Sequence, residues 1–141
     1  MAARVLIITS RFNETITRSL EQSARETLDQ FGVATKSLWV PGAFEIPVVA
    51  HKAAKSGKWD AVVCLGCIIK GETPHFELVA NQVASAIMKV SLDTGVPVIF
   101  GVLATDTIEQ ALNRSGLKLG NKGAESAHAA LSIIKTLGEL N

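Results

Sequence analysis

A chain of 141 residues is long enough to bury a core without disulfide or metal staples and short enough to be one domain, 1–141. Its net charge of +1 offers no basic surface for nucleic acid or an anionic membrane, and no apolar run approaches the roughly 20 residues that span a bilayer. Hydrophobic residues nevertheless make up 48% and charged residues only 19%, where about 25% charged is usual. A small domain has much surface for its volume, so this excess points to burial against other copies of the chain or to a parallel sheet covered on both faces.

Residues 4–9 read as a buried strand around Val5-Leu6-Ile7-Ile8. The same run, with Asn13 and Glu14 close behind, is too short and wrongly flanked for a secretory signal. Over residues 15–31, Ile16, Leu20, Ala24, Leu28 and Phe31 fall on one helical face, and Gly32 ends the helix. Residues 33–40 form a second strand closed by Pro41-Gly42. A helix then opens near Phe44, with Pro47 tolerated in its first turn and Ile46, Val49, Ala50, Ala53 and Ala54 inward, and stops at Gly57. Residues 60–69 are a third strand without polar alternation, as a central parallel strand requires.

A polar loop, 70–75, precedes a helix with Phe76, Val79, Ala80, Val83, Ala84, Ile87 and Val90 on one side. A fourth strand spans 96–104, with Pro97 at its start where a missing N–H is tolerated. A short helix over 107–114, a Gly- and Lys-rich loop over 115–123 and a helix over 124–137 complete the chain. The order predicts an α/β protein: a flavodoxin-like three-layer α/β/α sandwich with a four-stranded parallel sheet and helices on both faces. Ligands bind such sheets outside the carboxyl ends of the strands, which directs attention to loops 10–14, 41–45, 70–75 and 105–107.

Several residues in or near these loops can carry chemistry. Loop 70–75 joins a central strand to a helix start, whose unpaired N–H groups favour an anion. Gly71 permits close approach, Thr73 offers a hydroxyl or an N-cap, and His75 titrates near neutrality. The glycine spacing of a Walker A loop is absent. Glu45 either complements the helix dipole or accepts hydrogen bonds from ligand hydroxyls, and Phe12 is a loop aromatic suited to stacking on a flat heterocycle. Arg114, Lys118 and Lys122 make either a solvated loop or a clamp for phosphate or polyol. His51 and His128 lie within helical periods and lack metal-ligand spacing, so no metal is expected. Cys64 and Cys67 sit three apart in one strand, facing opposite ways and about 10 Å apart, which predicts packed thiols in a reducing cytoplasm.

Together, Arg11-Phe-Asn13, Val40-Pro-Gly-Ala-Phe-Glu-Ile-Pro47, Leu65-Gly66 followed by Lys70-Gly-Glu-Thr-Pro-His-Phe76, Phe100-Gly-Val102, Thr105-Asp-Thr-Ile-Glu-Gln-Ala111, Asn113-Arg-Ser-Gly116 and Gly120-Asn-Lys-Gly-Ala-Glu125 form an ordered set. The set closely resembles the 6,7-dimethyl-8-ribityllumazine synthases. That resemblance implies a cofactor-free transferase in the penultimate step of riboflavin synthesis. It would join 5-amino-6-(D-ribitylamino)uracil to 3,4-dihydroxy-2-butanone 4-phosphate, releasing phosphate and water. By similarity, Phe12 stacks on the pyrimidine, and the backbone of Cys67, Ile68 and Ile69 reads its edge. Ala43, Phe44 and Glu45 hold the ribityl chain, and Glu72, Thr73 and Arg114 bind the butanone phosphate. Phe100 and Lys122 line the pocket, with Phe100, Arg114 and Lys122 reaching it from an adjacent subunit. His75 resembles the family's proton-transfer residue.

The resemblance further implies a pentamer-based homo-oligomer with active sites between subunits, and leaves a decamer, a 60-subunit shell and association with riboflavin synthase open. Lys70 stands where Arg is common in the family, which keeps charge but loses the planar fork. The sequence also starts almost at its first strand, where members usually carry about ten further residues, an added strand of ordinary length. A flavin- or lumazine-binding protein and a shell-forming structural protein are the alternatives to the enzyme.

Overall fold

The computed structural model describes residues 3–72, 74–118 and 120–141. Four strands, β1 (Arg4–Ser10), β2 (Ala34–Val40), β3 (Ala61–Ile69) and β4 (Val98–Thr105), alternate with five helices: α1 (Glu14–Gln30), α2 (Ile46–Lys55), α3 (Phe76–Thr94), α4 (Ile108–Asn113) and α5 (Lys122–Gly138). All strand pairings are parallel and the order across the sheet is β2-β1-β3-β4, with helices on both faces, as the alternation of strand and helix periods predicts.

Side chains alternate across the sheet and divide the core in two. Val5, Ile7, Val63, Leu65 and Cys67 face α1 and α5, while Leu6, Ile8, Val62, Cys64 and Ile68 face α2 and α3. All nine residues of β3 are buried, so this strand tolerates no polar alternation. Leu6, Ile7 and Ile8 are completely enclosed, each contributing about 1.5–3 kcal/mol by leaving water. Cys64 and Cys67 fall on opposite faces as free thiols.

The departures from the sequence reading have local causes. Phe31 carries no core contact face: α1 ends at Gln30, Phe31 is its C-cap outside the helical range, and its ring lies 60% exposed, edge-on to His128. After Pro41-Gly42 the chain makes a 3₁₀ turn, Ala43–Glu45, before α2 begins, which leaves Pro47 at the start of that helix where its missing N–H costs nothing. The fourth strand starts at Val98 rather than 96, and Pro97 contributes only its carbonyl, which accepts from Val62 N. The last helix begins two residues early, at Lys122, because the Asn121 side chain caps it.

Candidate active site

The carboxyl ends of β1, β2 and β3 meet at a pocket of about 340 Å³ lined by Phe12, Pro41–Glu45, Cys67–Ile69 and Val79. Pairing that outlasts the strands builds it. Past the end of β1, Arg11 N and Phe12 N donate to the carbonyls of Val40 and Pro41 at 2.8 and 3.1 Å, so the loop follows β2 into the turn. Phe12 and Phe44 therefore stand on adjoining segments with their rings 55% and 62% exposed, although both are large apolar groups. The Arg11 guanidinium lies over the Trp39 ring at 5.2 Å and pairs with Glu14 at 3.4 Å, which turns it along the surface. The Gly42 Cα faces a Glu45 carboxylate oxygen; a Cβ there would come within 3.1 Å of it.

Burial also silences the two thiols of β3. It raises the Cys64 pKa far above the usual range and pushes Cys67 up to about 12, with the nearby Glu72 charge adding to the latter shift. Both stay neutral near pH 7, so neither is a nucleophile there.

A second and larger hollow, about 870 Å³, lies on the opposite side of α3, along the edge strand β4. Phe100, Arg114 and Lys122 line it, together with Phe76, Asp106 and Glu125. Its cations are held by the backbone: Lys122 N donates to Arg114 O at 2.8 Å, and Ser115 and Asn121 form an antiparallel bridge. Gly116, at φ +119, makes the tight return that this bridge requires. Asn121 organises the whole corner. Its Oδ1 accepts from Gly123 N and Ala124 N, while its Nδ2 donates to Ser115 O at 3.0 Å and Ser19 O at 3.3 Å. Gly123 lets α5 approach α1 so closely that a Cβ would run into the Leu20 backbone.

His75 and Lys70 line a third hollow of about 420 Å³, which adjoins the second through Phe76 and Glu77. His75 is the residue from which α3 starts, and its carbonyl accepts from Val79 N at 2.9 Å. Glu72 lies exposed in the turn after β3, its N–H donating to Ile69 O. Thr73 lies outside the described residues.

The sequence-derived candidates thus fall into groups. Phe12, Ala43, Phe44, Glu45, Cys67, Ile68 and Ile69 share one pocket. Phe100, Arg114 and Lys122 share another, and no residue lines both. Lys118 lines neither, exposed on the loop between Arg114 and Lys122. Asn13 and Asn121 stand in the quoted motifs but received no role there, because the Cys67 and Ser19 carbonyls they reach are distant in sequence; only the helix-capping part of Asn121's role leaves a local trace, an Asn just before the helix.

Among the described residues there is no group of three or more His, Cys, Asp or Glu placed to hold a metal ion, and no helix is long and apolar enough to cross a membrane. A parallel sheet with an apolar slot and a cation-lined hollow at its loops places the chain in the doubly wound α/β class, whose members take small ligands at such ends. Comparison with known proteins narrows the class. The family model described as 6,7-dimethyl-8-ribityllumazine synthase matches residues 2–138. The chain is also 51% identical over 142 residues to the 6,7-dimethyl-8-ribityllumazine synthase of Protochlamydia amoebophila (strain UWE25), covering 99% of this chain and 83% of that one. The chain belongs to the 6,7-dimethyl-8-ribityllumazine synthase family, a transferase family of riboflavin biosynthesis.

Proposed function

We infer that this chain condenses 5-amino-6-(D-ribitylamino)uracil with 3,4-dihydroxy-2-butanone 4-phosphate to give 6,7-dimethyl-8-ribityllumazine, phosphate and water. The observation that carries this reading, beside family membership, is the convergence of Phe12, the 41–45 turn and the end of β3 on one pocket. Phe12 supplies a face for the pyrimidine, the peptide groups of Cys67–Ile69 its hydrogen-bonding edge, and Glu45 an acceptor for ribityl hydroxyls. Ala43 and Phe44 wall the ribityl chain. Arg114 clamps the phosphate of the second substrate with its planar fork, beside the helix-start loop carrying Glu72 and Thr73. Phe100 and Lys122 complete that half.

The amine must add to the ketone and lose water to give an imine, the imine must eliminate phosphate, and the ribitylamino nitrogen must add to the second carbonyl and lose water to close the ring. Each step moves protons near neutral pH, and His75 is the group that shuttles them. The rest of the acceleration comes from holding two substrates together.

The division of the residues between two separate pockets supports a site shared by neighbouring subunits, in which Phe100, Arg114 and Lys122 of one chain face the Phe12 pocket of the next. The assembly is a ring of five in the cytoplasm, and a riboflavin synthase, which consumes the product, is a candidate associate. Mixing both substrates with the protein and following lumazine absorbance and fluorescence tests the function. Product should form without added cofactor, and His75→Ala should slow turnover by about 10²–10⁴-fold while leaving measurable activity. No product at millimolar substrates would favour a flavin- or lumazine-binding protein; wild-type rates in the variant would remove His75 from the mechanism.

A further inference from the structure

We propose that Asn13 is a positioning residue, whose side-chain amide ties the β1–α1 loop to the end of β3 and thereby sets the gap between Phe12 and the peptide edge of Cys67–Ile69. The proposal rests on the reading of that gap as the pyrimidine slot. The β1–β3 ladder stops at the pair Thr9 and Leu65, whereas β3 continues to Ile69 paired only with β4. The slot is built from this continuation. Nothing in the ladder fixes its distance from the loop that leaves β1. Asn13 Nδ2 makes the missing link, donating to Cys67 O at 3.1 Å across 54 residues of sequence.

Two further features show what this link displaces. Asn13 is the N-cap position of α1, where an Asn side chain ordinarily accepts from the helix's free N–H groups; here it makes no such bond. It is also the one non-glycine residue with positive φ among the described residues, at φ 62 and ψ 47. Asn tolerates this region better than most side chains. The left-handed turn follows directly on Phe12, whose own N–H is held by Pro41 O. Loop 11–13 is therefore pinned on one side to β2 by backbone and on the other to β3 by a side chain. Phe12 sits between the two ties.

Two variants separate positioning from folding. Asn13→Gly keeps the left-handed turn free of strain and removes the amide. Asn13→Asp keeps shape and size, can cap α1 with its carboxylate, and cannot donate to Cys67 O. In both, the KM for the ribitylaminouracil should rise about three- to tenfold, the loss of one modest hydrogen bond, with the KM for the butanone phosphate and the thermal midpoint close to wild type. Amide exchange at Phe12, Ile16 and Thr17 should accelerate while that of Leu20 and Ala24 does not. Unchanged exchange overturns the tie itself. Faster exchange with an unchanged pyrimidine KM, or both KM values and the midpoint moving together, overturns the positioning role. If the wild-type protein forms no product, the functional reading fails, and the exchange data still decide whether Asn13 holds the loop.

Discussion

Arg114 differs from an ordinary surface cation in where its backbone is held. Its carbonyl accepts from Lys122 N, its N–H donates to Ala111 O, and the loop between the two cations is closed by the Ser115–Asn121 bridge. Little chain entropy remains to be lost when an anion binds, and a guanidinium adds a bidentate fork. Replacing Arg114 with Ala should raise the KM for the butanone phosphate about 10- to 100-fold, the range for a lost hydrogen bond to a charged group. Arg114→Lys should fall between, since it keeps charge without the planar geometry. Steady-state kinetics with that substrate varied at saturating pyrimidine checks both, and an unaltered KM removes the clamp. In the sequence, Arg114, Lys118 and Lys122 look alike, three cations around a glycine-rich turn. Only folding separates the pair that lines a hollow from the one left on the exposed loop, because hydrogen bonds across that turn decide it. Phe31 shows the converse: its spacing matches the buried stripe of α1, yet the helix ends one residue before it and nothing directs its ring inward.

Elements were more legible than residues, for a physical reason. The central strands β1 and β3 have both faces covered and the helices one, so apolar runs and periods of 3.6 mark them directly. The interiors of β3 and α3 follow from such patterns, whereas the start of α2 and the start of α5 depend on a 3₁₀ turn and on a cap. The cap on α5 matters most for the site, since the helix's first residue is Lys122. Asn121 satisfies two amides of that first turn and two carbonyls, one on α1 and one beside Arg114. Asn121→Ala should therefore cost about 1–2 kcal/mol of stability, read as a lower urea midpoint. It should also raise the KM for the phosphate substrate with the pyrimidine KM unaffected. A midpoint equal to wild type would mean that Gly123, seated against Leu20, holds the helix start by packing alone.

At the scale of the molecule, the apolar composition has two destinations. One is the doubly covered sheet. The other is surface: Val48 on α2 and Leu78, Met88 and Leu92 along one flank of α3 are each more than half exposed, as is Phe44 in the turn that leads into α2. The shared site proposed above, in which the β4 hollow of one chain faces the Phe12 pocket of the next, would need a head-to-tail contact, and this flank offers apolar surface for one. A head-to-tail contact of this kind joins different surfaces of two chains at each seam. Such a seam has a consequence that no self-contained site shares. Glu45→Ala damages the half-site in the slot, and Arg114→Ala damages the half-site at β4. Each variant alone should be strongly impaired at every seam. When the two are unfolded, mixed in equal amounts and refolded together, about one seam in four pairs an intact Glu45 from one chain with an intact Arg114 from the next. Activity should then rise towards about a quarter of the wild-type value measured after the same treatment, while refolding each variant alone restores nothing. If Glu45 and Arg114 served the same site within one chain, every site in the mixture would still carry one lesion, and mixing would recover no activity.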